Sequence, residues 1–390
     1  MTDSHQQFFE DLDFFDDKHC ARLDDELKWA RGQCPVVHTN FGGGTHVVTR
    51  YADLRTVAVH PEIFSSSMPG LMEVPLALPP LDLDPPQHGQ FRAFLNGRFS
   101  RAALLRYQPV LEQLADDLID GFIDAGEVEF VSGFAIPFTA GTLAKVVLED
   151  DNEERMRRGA DAVTAVSVLG TPESFAAVTE LAAELMAERE SDPRDDFLQS
   201  VVEAKVAGER PLTLEERLGL VTLLLLGGLD TTRGTLAYIA QYLTEEPDLE
   251  ERLRQPNWVD RDMDELLRFT STVSVMGRVV TQDNDLLGVP LAKGDRILVH
   301  WRSGNRDDTK FDDPDRLSFD RFPNPHMAFG VGIHRCLGQY LARLQLEIGV
   351  NRLLARLTNF RIAPETSIRP SVGVAIGSPE ELHLRFDRVS

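Results

Sequence analysis

The sequence predicts a mainly helical protein with a small β-rich region, and three observations carry that expectation. Helical patterns dominate from Gln87 to Leu243. Within them, Thr213-Leu214-Glu215-Glu216 has the form of a capping box and opens an apolar run of about 32 residues ending near Thr244. Strand signals are confined to short stretches near the start, between Arg278 and Val299, and from Val372 to Leu384.

Taken in order, Asp11 to Arg31 mixes acids with Phe14, Phe15, Leu23, Leu27 and Trp29 at roughly helical spacing, which predicts a short amphipathic helix. Val36-Val37 and His46-Val47-Val48 flank Asn40-Phe41-Gly42-Gly43-Gly44, the pattern of two strands joined by a glycine turn. No Lys-Ser/Thr follows these glycines, so a phosphate loop is disfavoured. Ser65 to Pro86 is an apolar loop without a clear period, and long loops of this kind are usually functional. The helices that follow should break near Gly133, Gly170-Thr171-Pro172, Asp192-Pro193 and Gly208 to Pro211. A final helix is expected over Gln339 to Leu357.

Composition bounds the function. The 390 residues carry 40 Lys plus Arg against 63 Asp plus Glu, a net charge of −23, which repels phosphate backbones and anionic lipid headgroups. Neither nucleic acid nor a membrane surface is expected as a partner. Cys20, Cys34 and Cys336 form an odd set without C-x-x-C spacing, which argues against a disulfide framework and a tetrathiolate metal site. No secretion signal is visible, and the most apolar stretches, Leu218 to Leu229 and Phe130 to Ala144, fall short of the ~20 residues that span a bilayer. The expectation is a single cytoplasmic domain over residues 1–390.

Three constellations could carry chemistry. The long helix is interrupted at Gly227-Gly228-Leu229-Asp230-Thr231, where each glycine costs ~1 kcal/mol relative to Ala. The residues alone leave two accounts open: close packing against the glycines with Asp230 paired to Arg233 on the surface, or a helix widened beside a ligand with Asp230 and Thr231 handling protons. Glu265 and Arg268, three apart, share a helix face, a spacing too common to identify anything unaided. Third, Phe329-Gly330-Val331-Gly332-Ile333-His334-Arg335-Cys336-Leu337-Gly338 places a cysteine at a helix start, where the helix dipole lowers a thiol's pKa and favours the thiolate. Arg335 occupies the place of the third glycine of a dinucleotide loop and rules that reading out. A cysteine nucleophile with His334, a cysteine-ligated metal centre and a purely structural buried cysteine remain open.

The ten residues Phe329 to Gly338 match every fixed position of F-G-x-G-x-H-x-C-x-G, and on them the chain resembles the bacterial cytochrome P-450 family of haem-thiolate monooxygenases. The resemblance implies that family's fold, a triangular prism of helices with a small β-rich region. It implies haem b (iron protoporphyrin IX) as cofactor, with Cys336 as the metal ligand, Phe329 packed near the sulfur and His334 at a propionate. His88-x-x-x-Arg92 and Arg278, at the start of a strand, resemble the family's other propionate contacts. Asp230 and Thr231 would be the catalytic pair that manages protons during oxygen activation, and Glu265, Arg268 and Arg321 the structural ion-pair network. Met68, Leu71, Met72, Leu223, Gly227, Ser274, Val275, Met276, Val374 and Ile376 resemble pocket-lining positions, mostly apolar, which favours a hydrophobic small-molecule substrate.

No flavin or iron–sulfur motif is visible, so electrons are expected from a ferredoxin-type donor with its NAD(P)H reductase, docking on a local basic patch of Arg335, Arg98 and Arg343 of a monomer. Gly227, where the family more often has Ala, and the bulky Trp301-Arg302 are mild departures from the pattern. The competing functions are a non-enzymatic haem protein of this fold, which would need no Asp230-Thr231 pair, and a thiol hydrolase using Cys336 and His334.

Overall fold

In the computed structural model, the described residues are 4–68, 70, 74–150, 152–169, 171–206, 208–364, 369–370 and 377–389. Helices form the bulk of it, and the longest, Leu214–Glu245, lies where the capping box predicts. Thr213 Oγ1 accepts the Glu216 N–H at 3.2 Å, the Glu216 carboxylate accepts the Thr213 N–H at 2.8 Å, and Arg210 grips that carboxylate with two bonds of 2.7 Å. Three otherwise free backbone and side-chain groups are thus tied at one helix end.

Two glycine notches position this long helix. A Cβ on Gly219 would sit 2.0 Å from the carbonyl oxygen of Ala77, so the loop that follows Ser65 crosses the helix backbone to backbone. A Cβ on Gly228 would meet Leu143 Cδ1 at 2.8 Å, so the second notch admits the apolar segment Val131–Leu148. That segment is apolar and long enough by composition to cross a membrane, but two thirds of it is buried inside the protein, against the long helix and its neighbours. Gly133 does not break it. The helix widens there by one residue per turn, and Val128 occupies the space a Gly133 side chain would need.

The N-terminal region departs from the single helix expected over Asp11 to Arg31. Two helices form, Ser4–Glu10 and Asp17–Gln33. The break follows from Asp16, whose carboxylate accepts the Lys18 and His19 N–H groups and caps a new helix start, while Phe14 is driven into the core. The predicted hairpin is present as Val36–Thr39 and Thr45–Val48, with Val36 opposite Val48 and Gly42, Gly43 and Gly44 all at positive φ. It belongs to a five-stranded sheet whose other strands, in order, are Arg296–His300, Val275–Val280 and Phe64–Ser65. Arg296–His300 runs parallel to Thr45–Val48; the remaining pairings are antiparallel. A second, three-stranded sheet joins Glu127–Glu129, His383–Arg388 and Leu357–Ile362.

Trp301 and Arg302 have structural partners. Trp301 is buried in the core beneath the sheet, and Arg302 reaches Asp24 on the Asp17–Gln33 helix at 2.7 Å. These contacts seat the N-terminal helices on the sheet.

Candidate functional site

The cysteine loop folds back on itself before its helix begins. The Cys336 N–H donates to the Phe329 carbonyl at 2.8 Å, and the Arg335 N–H to that of Gly332 at 3.2 Å. Gly330 and Gly332 take φ of +68° and +77°, the left-handed region in which glycine is unstrained. A Cβ on Gly332 would lie 2.2 Å from the Ala58 carbonyl, so the loop packs backbone to backbone against the helix Tyr51–Val59. The helix Gln339–Arg356 then starts two residues beyond Leu337, with Gly338 as its cap. Burial pushes the Cys336 thiol up, against the Gly338 N–H and the positive Arg92 and Arg335, which work the other way. The sequence expectation of a lowered thiol is therefore overturned: desolvation outweighs the helix start.

Four nitrogen-bearing side chains from three separate segments converge near this sulfur. His88 and Arg92 lie on the helix Gln87–Asn96. Arg278 lies in the interior of the strand Val275–Val280, opposite Ile297, and not at its start as expected. The His88 and His334 rings are 4.3 Å apart, and the Nε2 atom of each is buried without a hydrogen-bond partner among the described residues. Burial, reinforced by Arg278, His88 and Arg92, pushes His334 down to about 3. Burial also pushes Arg278 down to about 10, with Asp84 opposing it, and lowers Arg92, with Cys336 opposing. Burying the two ring nitrogens unpaired is costly, and together with the two guanidiniums they offer an array of donors suited to an anion.

Asp84 is the neighbour that sequence reasoning missed. Its Oδ1 accepts the Ser66 N–H at 3.0 Å and its carbonyl accepts the His88 N–H at 3.0 Å, tying the long loop to the start of this helix. An acid ahead of Pro85-Pro86 and a helical run was the available signal.

On the long helix, Leu223, Gly227 and Thr231 recur at i, i+4 and i+8 and are all more accessible than the buried residues around them. A Cβ on Gly227 would meet nothing within 4 Å. The two glycines therefore serve different purposes, one packing and one open space. The helix is not widened here, unlike in the second of the two accounts the residues left open. Thr231 Oγ1 donates to the Gly227 carbonyl at 3.1 Å, which leaves its lone pairs free to accept. Asp230 is paired to Arg233, as the spacing suggested, but the pair is buried and not on the surface.

Glu265 and Arg268, on the helix Met263–Thr270, are fully buried and joined by bonds of 2.7 and 2.8 Å. Arg321, Ser318 and Asn324 complete the Glu265 carboxylate, and the Asn305 and Pro314 carbonyls complete Arg268. Of the expected pocket positions, Met68 and Met276 are half-buried and Ser274 is buried. Val275 is a correction: its side chain is packed in the core with Val37, Val47 and Leu298. Leu71, Met72, Val374 and Ile376 lie outside the described residues. No hydrogen bond joins Cys336 to His334 among the described residues, and the imidazole faces His88, so the hydrolase arrangement is not formed.

Comparison with known proteins agrees with this geometry. The cytochrome P450 family model matches residues 173–256 and 258–382. A steroid C26-monooxygenase of Mycolicibacterium smegmatis is 30% identical over 375 residues, which cover 92% of this chain and 91% of that protein. A probable cytochrome P450 127A1 of Sinorhizobium fredii is 36% identical over 341 residues, 85% of this chain and 81% of that protein. Among solved structures, a Mycobacterium marinum cytochrome P450 in complex with pseudoionone superposes with a TM-score of 0.86 at 26% identity, covering 98% of this chain and 97% of that one.

Proposed function

The chain belongs to the cytochrome P450 family, and from that premise we propose that it oxidises a hydrophobic small molecule with electrons drawn from a ferredoxin-type donor. As a member of the family it binds haem b and is a monooxygenase that consumes O₂. The observation that carries the site assignment is the convergence of His88, Arg92, Arg278 and His334 near Cys336. Two unpartnered imidazole nitrogens and two desolvated guanidiniums fit the paired carboxylates of a haem, which would supply the acceptors they lack. Cys336 would hold the iron through its sulfur, with the Gly338 N–H and the Arg92 and Arg335 charges favouring the anionic form that burial alone disfavours.

When bound, the haem supplies reduction of O₂ at its iron, with one oxygen atom passing to the substrate and the other leaving as water. The chain's own residues govern access and protons. The Leu223, Gly227 and Thr231 stripe forms an apolar wall with room at Gly227 for a substrate carbon to come close. Thr231, its proton committed to Gly227, offers an oxygen that accepts a hydrogen bond on the open side. Asp230, one residue away, is the acid that resupplies protons. The apolar stripe and Met68 support a hydrophobic substrate, and the relatives named for a steroid and solved with pseudoionone point the same way.

For the electron donor, Arg335 is the exposed cation beside the cysteine and the residue on which docking rests. The patch is smaller than the sequence suggested. Arg98 is spent on Glu149 at 2.8 Å and lies over the Tyr107 and Phe197 rings, and Arg343 is paired with Asp264.

The test is substitution of the sulfur. Cys336→Ser should still take up hemin through the clamp but lose the strongly red-shifted Soret band of the ferrous carbonyl complex. Retention of that band would remove Cys336 from the metal.

A further inference from the structure

Asp230 and Arg233 form a buried ion pair of an unusual kind. They are 2% and 4% exposed, and Arg233 Nε donates to Asp230 Oδ1. Pairs removed from water persist when the remaining lone pairs and protons are also satisfied. On the arginine side that condition is met from a distant part of the chain. Arg233 Nη2 donates to Ser378 Oγ at 3.3 Å and Nη1 approaches the Pro379 carbonyl at 3.5 Å. On the acid side it is not met: Asp230 Oδ2 is buried and makes no hydrogen bond to any described residue.

The segment that holds Arg233 is itself held tightly. Gly234 has no side chain because a Cβ there would lie 2.7 Å from both Ser378 Cβ and Thr272 Cγ2. Thr235 Oγ1 and Thr272 Oγ1 are 2.8 Å apart, and the Gly377 N–H donates to the Thr272 carbonyl at 3.0 Å. The guanidinium is therefore a bracket between the long helix and the C-terminal segment, and the direction in which the carboxylate points is set from both. A pair that served only to bind helix to segment would have no reason to leave one acid oxygen unbonded. Glu265, equally buried, has both of its oxygens filled. An orphaned acceptor in a buried site calls for a role.

We propose that Arg233 is the positioning residue of Asp230: anchored by Ser378 and Pro379, it binds one carboxylate oxygen and keeps the other open to carry the proton delivered toward Thr231. Ser378 and Pro379 thereby control proton supply to the oxygen site through Arg233. This rests on the reading of Asp230 as the proton-handling acid, and the experiment separates the two claims.

The haem-loaded enzyme, Asp230→Asn, Arg233→Lys and Ser378→Ala are prepared with ¹³C-labelled aspartate. The infrared carboxylate band of Asp230 is isolated by subtracting the Asp230→Asn spectrum. In parallel, oxygen consumption is driven by a surrogate ferredoxin and reductase in H₂O and in D₂O. Arg233→Lys and Ser378→Ala should shift the band, slow oxygen consumption by about tenfold or less, a fraction of what a general acid contributes, and enlarge the solvent isotope effect. The ferrous carbonyl spectrum should be unchanged in both. If Asp230→Asn alters the isotope effect while the other two leave band and isotope effect as in the parent, Arg233 is not a positioning residue. If Asp230→Asn itself alters nothing, the acid assignment falls and the proposal with it. Should Arg233→Lys fail to load haem, Ser378→Ala decides, since it keeps both charges and removes only the anchor.

Discussion

The molecule buries two clusters of charge and finishes them differently. Around Glu265 and Arg268 each carboxylate oxygen and each guanidinium nitrogen meets a partner, with bonds from Arg321, Ser318 and Asn324 and to the Asn305 and Pro314 carbonyls. Around His88, Arg92, Arg278 and His334 the positive groups crowd one another, and two ring nitrogens find no partner. The residue types are similar. The difference is closure: the charged groups of the first cluster are completed within the protein, whereas the second is an arrangement whose electrostatic cost is relieved by an anion from outside.

The largest effect expected from breaking this contrast is at Arg268. Arg268→Met removes the doubly bonded partner of a buried carboxylate and leaves Arg321 as its cation, a change that costs about 3–5 kcal/mol, and the soluble yield and urea midpoint should fall equally with and without added hemin. Arg278→Leu should behave in the opposite sense. The apoprotein, relieved of a desolvated cation, should be as stable as the parent or more so, while hemin affinity drops by about 10- to 100-fold, the equivalent of a charge-assisted hydrogen bond of ~1.5–3 kcal/mol. An apoprotein destabilised as severely as Arg268→Met would erase the distinction between the two clusters.

A pH-dependent effect, comparable in size to that at Arg278, sharpens the contrast with a control. His300 also has a buried Nε2 without a partner, but it is walled in by protein; its Nδ1 accepts the Ser303 N–H at 3.2 Å. Burial, helped by Arg302 and Arg31 and opposed by Asp24, pushes it down to about 4. The unfolded chain takes up a proton near pH 6.5 that the folded chain refuses, so the contribution is full above that pH and declines as pH falls toward 4. The loss should approach about 3 kcal/mol. His300→Asn keeps an acceptor for Ser303 and removes the titrating ring, so the difference in urea midpoint between parent and variant should change over this window. A difference that stays constant with pH would mean that the ring is not held neutral.

How much of this was legible beforehand depends on which physical quantity a residue pattern encodes. The capping box at Thr213 and the fixed spacing of Phe329 to Gly338 are local, and the long helix and the cysteine loop appear where they predict. Burial is not local. The i,i+3 spacing of Asp230 and Arg233 was readable, yet nothing in it told that Ser378, 145 residues away, would cover the pair. Desolvation likewise reversed the expected direction for the Cys336 thiol. The helix break at Asp16 was missed because the apolar spacing of Phe14 and Phe15 masked a cap. Val275 was assigned to the pocket by position alone, whereas strand alternation decides which way a side chain faces.

The adjacent glycines of the long helix differ in what they permit over evolutionary time. At position 228 any added atom collides with Leu143, so variation there demands a compensating change in the core. At position 227 a first added carbon would meet no protein atom within 4 Å. A lineage carrying this sequence can therefore drift from bulkier to slimmer molecules through a single codon, while the scaffold that holds the chemistry stays as it is.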